Sequence, residues 1–114
     1  MKYKLLYLNF KKLFPYNTED FTKLETANNV DQSEGQHILF GLVVAPFIQN
    51  LAEQGNFEKL ELAFTYFEAM AKSNDILVNE VLEFSVLENL LSHNVNYINI
   101  YKKLIGPETN KYLF

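Results

Sequence analysis

The side chains of this sequence that could do chemistry are its carboxylates and its two histidines. Glu80 and Glu83 stand three positions apart, a spacing that places two carboxylates on one face of a helix, where such a pair can act as acid and base or hold a metal ion. Nothing else completes a metal site, because the chain has no cysteine and its two histidines, His37 and His93, are 56 residues apart without an obvious carboxylate partner. The sequence therefore predicts neither a metal site nor a cofactor.

Sequence motifs of the common reaction types are also missing. The chain contains no GxxxxGK[ST], GxGxxG, HExxH or GxSxG pattern, which are the patterns of phosphate loops, dinucleotide sites, zinc peptidases and serine hydrolases. We therefore expect a protein that is not an enzyme, with no catalytic residues. An enzyme or a small-ligand domain would instead need a deep pocket that converges on Glu88, His37 or His93. On its own, His37 is expected to be a surface or capping histidine.

Glu88 is unusual for its position. At 3.6 residues per turn it falls in the same helical row as Val81, Phe84 and Leu91. A carboxylate among apolar side chains costs free energy unless it is paired. We expect Glu88 to accept hydrogen bonds from the backbone N–H groups at the start of the next helix, or from a nearby tyrosine or lysine.

Most of these carboxylates lie on two helices at the centre of the predicted fold. Residues 56–92 predict an antiparallel helical hairpin, in which Asn56 caps the first helix and Asp75 caps the second after a short turn. Two apolar rows of the second helix are expected to pack against neighbours: Leu77, Val81, Phe84 and Leu91 in one row, and Val78, Leu82, Val86 and Leu90 in the other.

Amphipathic segments on both sides of the hairpin predict further helices. They cover residues 2–14, 17–28, 33–54 and 95–105, with His93 and Asn94 before the last of them and one terminal turn near the end of the chain. A capping box of Ser33 and Gln36 opens the third segment, and Pro46 should kink or split it. A strand over residues 3–8 is the alternative for the first segment. The prediction is a single all-α domain over residues 1–114 with five to six helices, built as antiparallel helical hairpins in a HEAT-like stack or as an irregular bundle.

Charge is unevenly distributed along the chain. The net charge is −4, and residues 53–88 hold eight acidic side chains against two lysines. Such a segment disfavours nucleic acid as a partner and favours a basic protein, mainly by raising the rate of association. We predict that the protein binds no nucleic acid and that its contact face for a basic protein consists of Glu58, Glu61, Glu68, Asp75, Glu80 and Glu83.

Membrane insertion is not predicted. The longest apolar run, residues 38–48, is interrupted by Gly41 and Pro46 and is shorter than the roughly 20 residues that span a bilayer. The N-terminal segment is basic and amphipathic, but its aromatic side chains are needed for core packing, so we expect no membrane binding. No signal-peptide pattern is present, and the lack of cysteine fits a reducing cytoplasm.

Two stretches resemble a known family. The sequences VNEVLEFSVLENLL at 78–91 and LIGPETNKYL at 104–113 resemble the C-terminal half of small all-helical immunity proteins from bacterial contact-dependent and polymorphic toxin systems. The resemblance covers residues 37–114. It implies a toxin inhibitor that binds its cognate toxin domain, often a nuclease, and blocks it without catalysis. The acidic segment agrees with such a partner, because nuclease domains are basic where they grip nucleic acid.

A second function is compatible with the same helices. A non-catalytic helical-repeat adaptor for protein interaction would dock a partner helix in an apolar groove. It predicts an exposed apolar patch larger than about 400 Å² near residues 43–47, and binding that depends little on salt. The sequence indicates no oligomeric state.

Overall fold

The computed structural model describes residues 1–93 and 95–113, without the side chains of His93 and Val95. These residues form seven helices and no strand. They are α1 (Leu6–Lys12), α2 (Thr18–Ala27), α3 (residues 36–53), α4 (Phe57–Lys72), α5 (residues 76–93), α6 (Ile98–Leu104) and α7 (Pro107–Asn110). Short 3-10 turns at Tyr3–Leu5, Pro15–Asn17 and Val95–Tyr97 lead into α1, α2 and α6.

The all-α prediction is confirmed for this described part of the chain. The predicted number of five to six helices is too low, because the terminal turn forms a short helix of its own, α7. The strand alternative for residues 3–8 is wrong, since that segment is helical. Asn94, predicted to separate the last two long segments, lies outside the described residues.

Local capping sets the bounds of the central hairpin as predicted. Asn56 Oδ1 accepts a hydrogen bond from the Lys59 backbone N–H at 3.2 Å, and Asp75 Oδ1 accepts one from the Leu77 N–H at 3.0 Å. Gly55 ends α3 with a φ of 69°, a left-handed conformation that glycine adopts without strain. These contacts join residues that are close in sequence, so the sequence pattern identified them.

The predicted capping box of α3 does not form. Gly35 stands at the N-cap, with no side-chain hydrogen bond there. The Gln36 side chain is buried and turns to α1, where its Oε1 accepts from the Tyr7 N–H and its Nε2 donates to the Lys4 carbonyl, both at 3.0 Å. The side-chain amide of Gln36 thus pairs one backbone N–H in the first turn of α1, which has no acceptor within the helix, and one carbonyl in the turn that precedes α1.

Pro46 neither splits α3 nor ends it. A π-helical segment, Phe40–Val44, directly precedes the α-helical segment Ala45–Glu53, and Pro46 lies in the first turn of the latter. Proline has no N–H to donate and clashes with the carbonyl one turn before it. A π turn bonds residues five apart instead of four and so relieves this conflict within one continuous helix.

Turns of π-helix, which are wider than α-helical turns, also determine which face of α5 is buried. α5 consists of the α-helical Ile76–Glu80 followed by π segments at Val81–Leu87 and Asn89–His93. The row of Val78, Leu82, Val86 and Leu90, spaced every four residues, is fully buried as predicted. The other predicted row fails in part, because Leu77 and Phe84 are 50% and 51% exposed. A π turn contains between four and five residues, so side chains stay on one face only if they recur at that spacing. Phe84 follows Val81 by three residues and therefore leaves the buried face.

Aromatic side chains from three helices, α1, α3 and α4, form the centre of the core. Phe10 of α1 is fully buried, and its ring centroid lies 5.5 to 6.2 Å from those of Tyr66, Phe67, Phe40 and Phe47. The Tyr66 hydroxyl donates to the Leu6 carbonyl at 2.8 Å, and burial raises the pKa of Tyr66 to about 12. The N-terminal segment is therefore part of the core.

α4 is the helix around which the others pack. It contacts α3, α5, α6 and α7, while α3 also contacts α1, α2 and α5. The radius of gyration is 12.9 Å, close to the roughly 13 Å expected for a compact globule of this length. No helix in the described chain is long and apolar enough to cross a membrane.

Candidate functional site

A pocket lies between the second half of α5 and the residues that follow α7. Its volume is about 310 Å³, at the lower end of the range for ligand sites in proteins. Five residues of its lining have apolar or aromatic side chains, two are carboxylates and one is a hydroxyl: Glu83, Phe84, Leu87, Glu88, Leu91, Ser92, Tyr112 and Leu113.

The π segments of α5 place these groups at the surface. They keep the four-spaced row in the core, so Phe84 and Glu88 are left exposed and Leu91 half-buried. Sequence reasoning assigned Phe84 and Leu91 to the core and did not find Tyr112 or Leu113. The one available signal was the regular spacing of four in the buried row, which is wider than that of an ordinary α-helix.

Within the described residues Glu88 makes no hydrogen bond to the start of the next helix, contrary to expectation, and its side chain is exposed. A different carboxylate caps a helix start in this way. Glu68 of α4 accepts hydrogen bonds from the Glu108 N–H at 2.9 Å and from the Thr109 N–H and Oγ1, both at 2.8 Å. Although partial burial alone would raise the pKa of Glu68, these hydrogen bonds and the charge of Lys72 outweigh it, and the pKa is lowered.

The Glu68 cap fixes one wall of the pocket. The backbone N–H groups of Tyr112 and Leu113 donate to the carbonyls of Thr109 and Asn110, at 3.0 and 3.1 Å. Both pocket residues are thus attached to α7, and α7 is attached to α4 through Glu68. A negative charge also suits the N-terminus of a helix, where the N–H groups point outward.

The six predicted contact residues divide into two groups. Glu58 and Glu61 are exposed on α4, and Glu80 and Glu83 are half-buried on α5; none of the four side chains has a hydrogen bond or ion pair within the described residues. Glu68 and Asp75 instead cap helices within the chain. The structure brings Glu83 together with Glu88 at the pocket.

His37 does not line this pocket. Its Nδ1 lies 2.7 Å from Ser85 Oγ, which links the start of α3 to α5. The side chain of His93 lies outside the described residues. No cluster of three or more His, Cys, Asp or Glu in the described chain is arranged to hold a metal ion.

The apolar patch expected for an adaptor near residues 43–47 is absent. Val43, Val44, Ala45 and Phe47 are all buried, at 2% exposure or less. They pack inward because the π segment before Pro46 keeps this apolar run against the core. Exposed apolar side chains within the long helices lie at other positions: Ile38 and Leu42 on α3, Phe57 and Leu62 on α4, and Ile76, Leu77 and Phe84 on α5.

Comparison with known proteins identifies a family. Residues 7–113 match a family described as a domain of unknown function (DUF7674). No curated protein and no solved structure matches the chain. The matched region begins within α1 and includes every residue that lines the pocket. The chain therefore belongs to the DUF7674 family.

Proposed function

We propose that this protein is a cytoplasmic bacterial immunity protein, which binds and inhibits a cognate toxin domain, a basic nuclease, through an acidic helical face. The observation that carries the proposal is the set of four carboxylates without partners in the described chain, two on α4 and two on α5: Glu58, Glu61, Glu80 and Glu83. Unpaired surface charges of one sign speed association with a partner of opposite charge.

Glu68 and Asp75 do not belong to the centre of this face. Their carboxylates already accept hydrogen bonds from backbone N–H groups, so a partner would have to compete with contacts that hold the fold. The exposed apolar side chains of Leu77 and Phe84 lie on the same helix as Glu80 and Glu83. An apolar centre beside charged residues is typical of protein interfaces.

The helical-repeat adaptor is the less supported function. In a helical stack each repeat contacts only its neighbours, whereas α4 contacts α3, α5, α6 and α7. This pattern favours the irregular bundle. The exposed groups on α5 are also mixed acidic and apolar, which predicts binding that depends on salt.

Reversing two charges on α5 tests the proposal. In the Glu80→Lys/Glu83→Lys variant we expect association with the toxin domain to slow at least about tenfold at low salt, and the difference to shrink at high salt as charges are screened. Stopped-flow mixing with the cognate toxin domain, which is to be sought in the reading frames adjacent to this gene, measures this rate, and co-expression measures rescue of growth.

A matched control carries the same change in net charge elsewhere. Glu34 and Glu53 are exposed and lie outside the proposed face, so Glu34→Lys/Glu53→Lys should slow association much less. Unchanged kinetics in the α5 variant at low salt, or equal slowing in both variants, would count against the acidic face. Failure of the wild-type protein to bind or protect would sink the immunity function itself.

A further inference from the structure

The pocket beside α5 has the chemistry of a site for a long cationic side chain. Phe84, Leu87, Leu91 and Leu113 supply apolar walls, and Glu83 and Glu88 supply two carboxylates. Neither carboxylate has a hydrogen bond or an ion pair within the described residues, and no lysine or arginine is among the residues that line the pocket. An anionic occupant would be repelled, and a wholly apolar one would desolvate the carboxylates without pairing them.

We infer that this pocket receives an arginine side chain of the partner protein. The inference rests on the proposed function only in taking the partner to be a basic protein. The aliphatic part of an arginine would pack on the leucines, and its guanidinium would reach Glu83 or Glu88 at the exposed side. The aromatic rings of Phe84 and Tyr112 line the same pocket, and a planar guanidinium stacks on such rings better than an ammonium does.

The size and exposure of the site fit this occupant. A volume of about 310 Å³ is small for a drug-sized ligand and suits one extended side chain. Phe84 is 51% exposed at the pocket, so docking would cover a large apolar surface that the chain leaves in contact with water. Buried aromatic and arginine contacts of this kind are typical of the few residues that dominate binding energy.

Short peptides test the inference without the toxin. Acetyl-Gly-Arg-Gly-amide is titrated into isotope-labelled full-length protein and followed by NMR. We expect chemical-shift changes concentrated on the methyl groups of Leu87, Leu91 and Leu113, and an affinity in the millimolar range. The same peptide with lysine should bind more weakly, and the peptides with norleucine or glutamate should not reach saturation.

Neutralising the carboxylates supplies the decisive variant. Glu83→Gln/Glu88→Gln is expected to weaken arginine-peptide binding about tenfold, since two charge-assisted contacts are lost. Glu34→Gln/Glu53→Gln changes the net charge equally, outside both the pocket and the proposed face, and should leave binding unchanged. Glu83 is half-buried and the other three residues are exposed, and circular dichroism checks that the variants fold.

The outcomes separate this inference from the proposed function. Shifts spread over the acidic surface, equal binding of the lysine or norleucine peptide, or equal weakening by both glutamine variants would overturn the arginine pocket. If the toxin domain binds while the arginine peptide does not touch the pocket, only the pocket inference fails. If the peptide occupies the pocket and no toxin domain binds, only the immunity function fails.

Discussion

Replacing Phe10 by alanine is expected to lower the free energy of unfolding by about 3–5 kcal/mol, the range for truncating a buried phenylalanine. Phe10 is fully buried, and its ring lies parallel to that of Phe67 at a centroid distance of 5.9 Å. The substitution removes the buried ring and leaves a cavity where α1 meets α3 and α4. Because a domain of this size is stable by only about 5–15 kcal/mol, this loss is a large fraction of its total stability.

Urea denaturation followed by circular dichroism measures this change. Tyr16→Ala is the matched control, since it truncates another aromatic side chain in the same N-terminal region that is 95% exposed. The control should shift stability by less than about 0.5 kcal/mol. A loss in Phe10→Ala as small as in the control would mean that the N-terminal segment does not contribute to the core.

Features that depend on neighbours in sequence could be predicted. The α4–α5 hairpin follows from caps at Asn56 and Asp75, each of which bonds an N–H two or three residues away. The helical nature of every long segment likewise follows from apolar spacing along the chain. The all-α fold could therefore be predicted from the sequence, because each of these signals is local.

Features that depend on distant contacts could not be predicted. The π segments of α5 move Phe84 from the predicted core to the pocket, and periodicity at 3.6 residues per turn assumes that no such segment exists. Glu68 caps α7 across 41 residues of sequence to Thr109, whereas the sequence predicted a capping role for Glu88 because that residue falls in an apolar helical row. The two carboxylates differ in what packs beside them, and that is set by the tertiary structure.

Replacing Glu68 by alanine is expected to lower the free energy of unfolding by about 2–4 kcal/mol, because hydrogen bonds to an ionised group contribute about 1.5–3 kcal/mol each but do not add fully. The three donors from Glu108 and Thr109 would lose their acceptor. Glu61→Ala on the same helix removes an exposed carboxylate without a partner in the described chain, so it should change stability little.

The pH dependence follows from the lowered pKa of Glu68. A carboxylate whose pKa is lower in the folded state stabilises the fold fully above its ordinary pKa, and this contribution is lost as the pH falls through the lowered value. The difference in the free energy of unfolding between wild type and Glu68→Ala should therefore be constant near pH 7 and shrink below about pH 4. If this difference did not change with pH, the charge of Glu68 would not contribute to the stability of the fold.

Gly106 provides a second test of the same contact. A Cβ added there would lie 2.5 Å from Glu68 Cδ and Oε1, although the backbone at Gly106 has an ordinary φ of −79°. Gly106→Ala should thus be destabilising only because it displaces Glu68. In a double-mutant cycle, adding Gly106→Ala to Glu68→Ala should cost almost nothing further, whereas additive losses would mean that Gly106 acts through some other contact.

The Glu68 contact also connects the stability of α7 to the pocket. Glu68 is not among the pocket residues, but Tyr112 and Leu113 are, and both are hydrogen-bonded to α7. Glu68→Ala should therefore weaken binding of the arginine peptide several-fold under conditions where the variant is still folded. An effect confined to the methyl signals of Leu113, with those of Leu87 unchanged, would locate it to the C-terminal wall. Full affinity in the folded variant would show that α5 alone forms the binding surface.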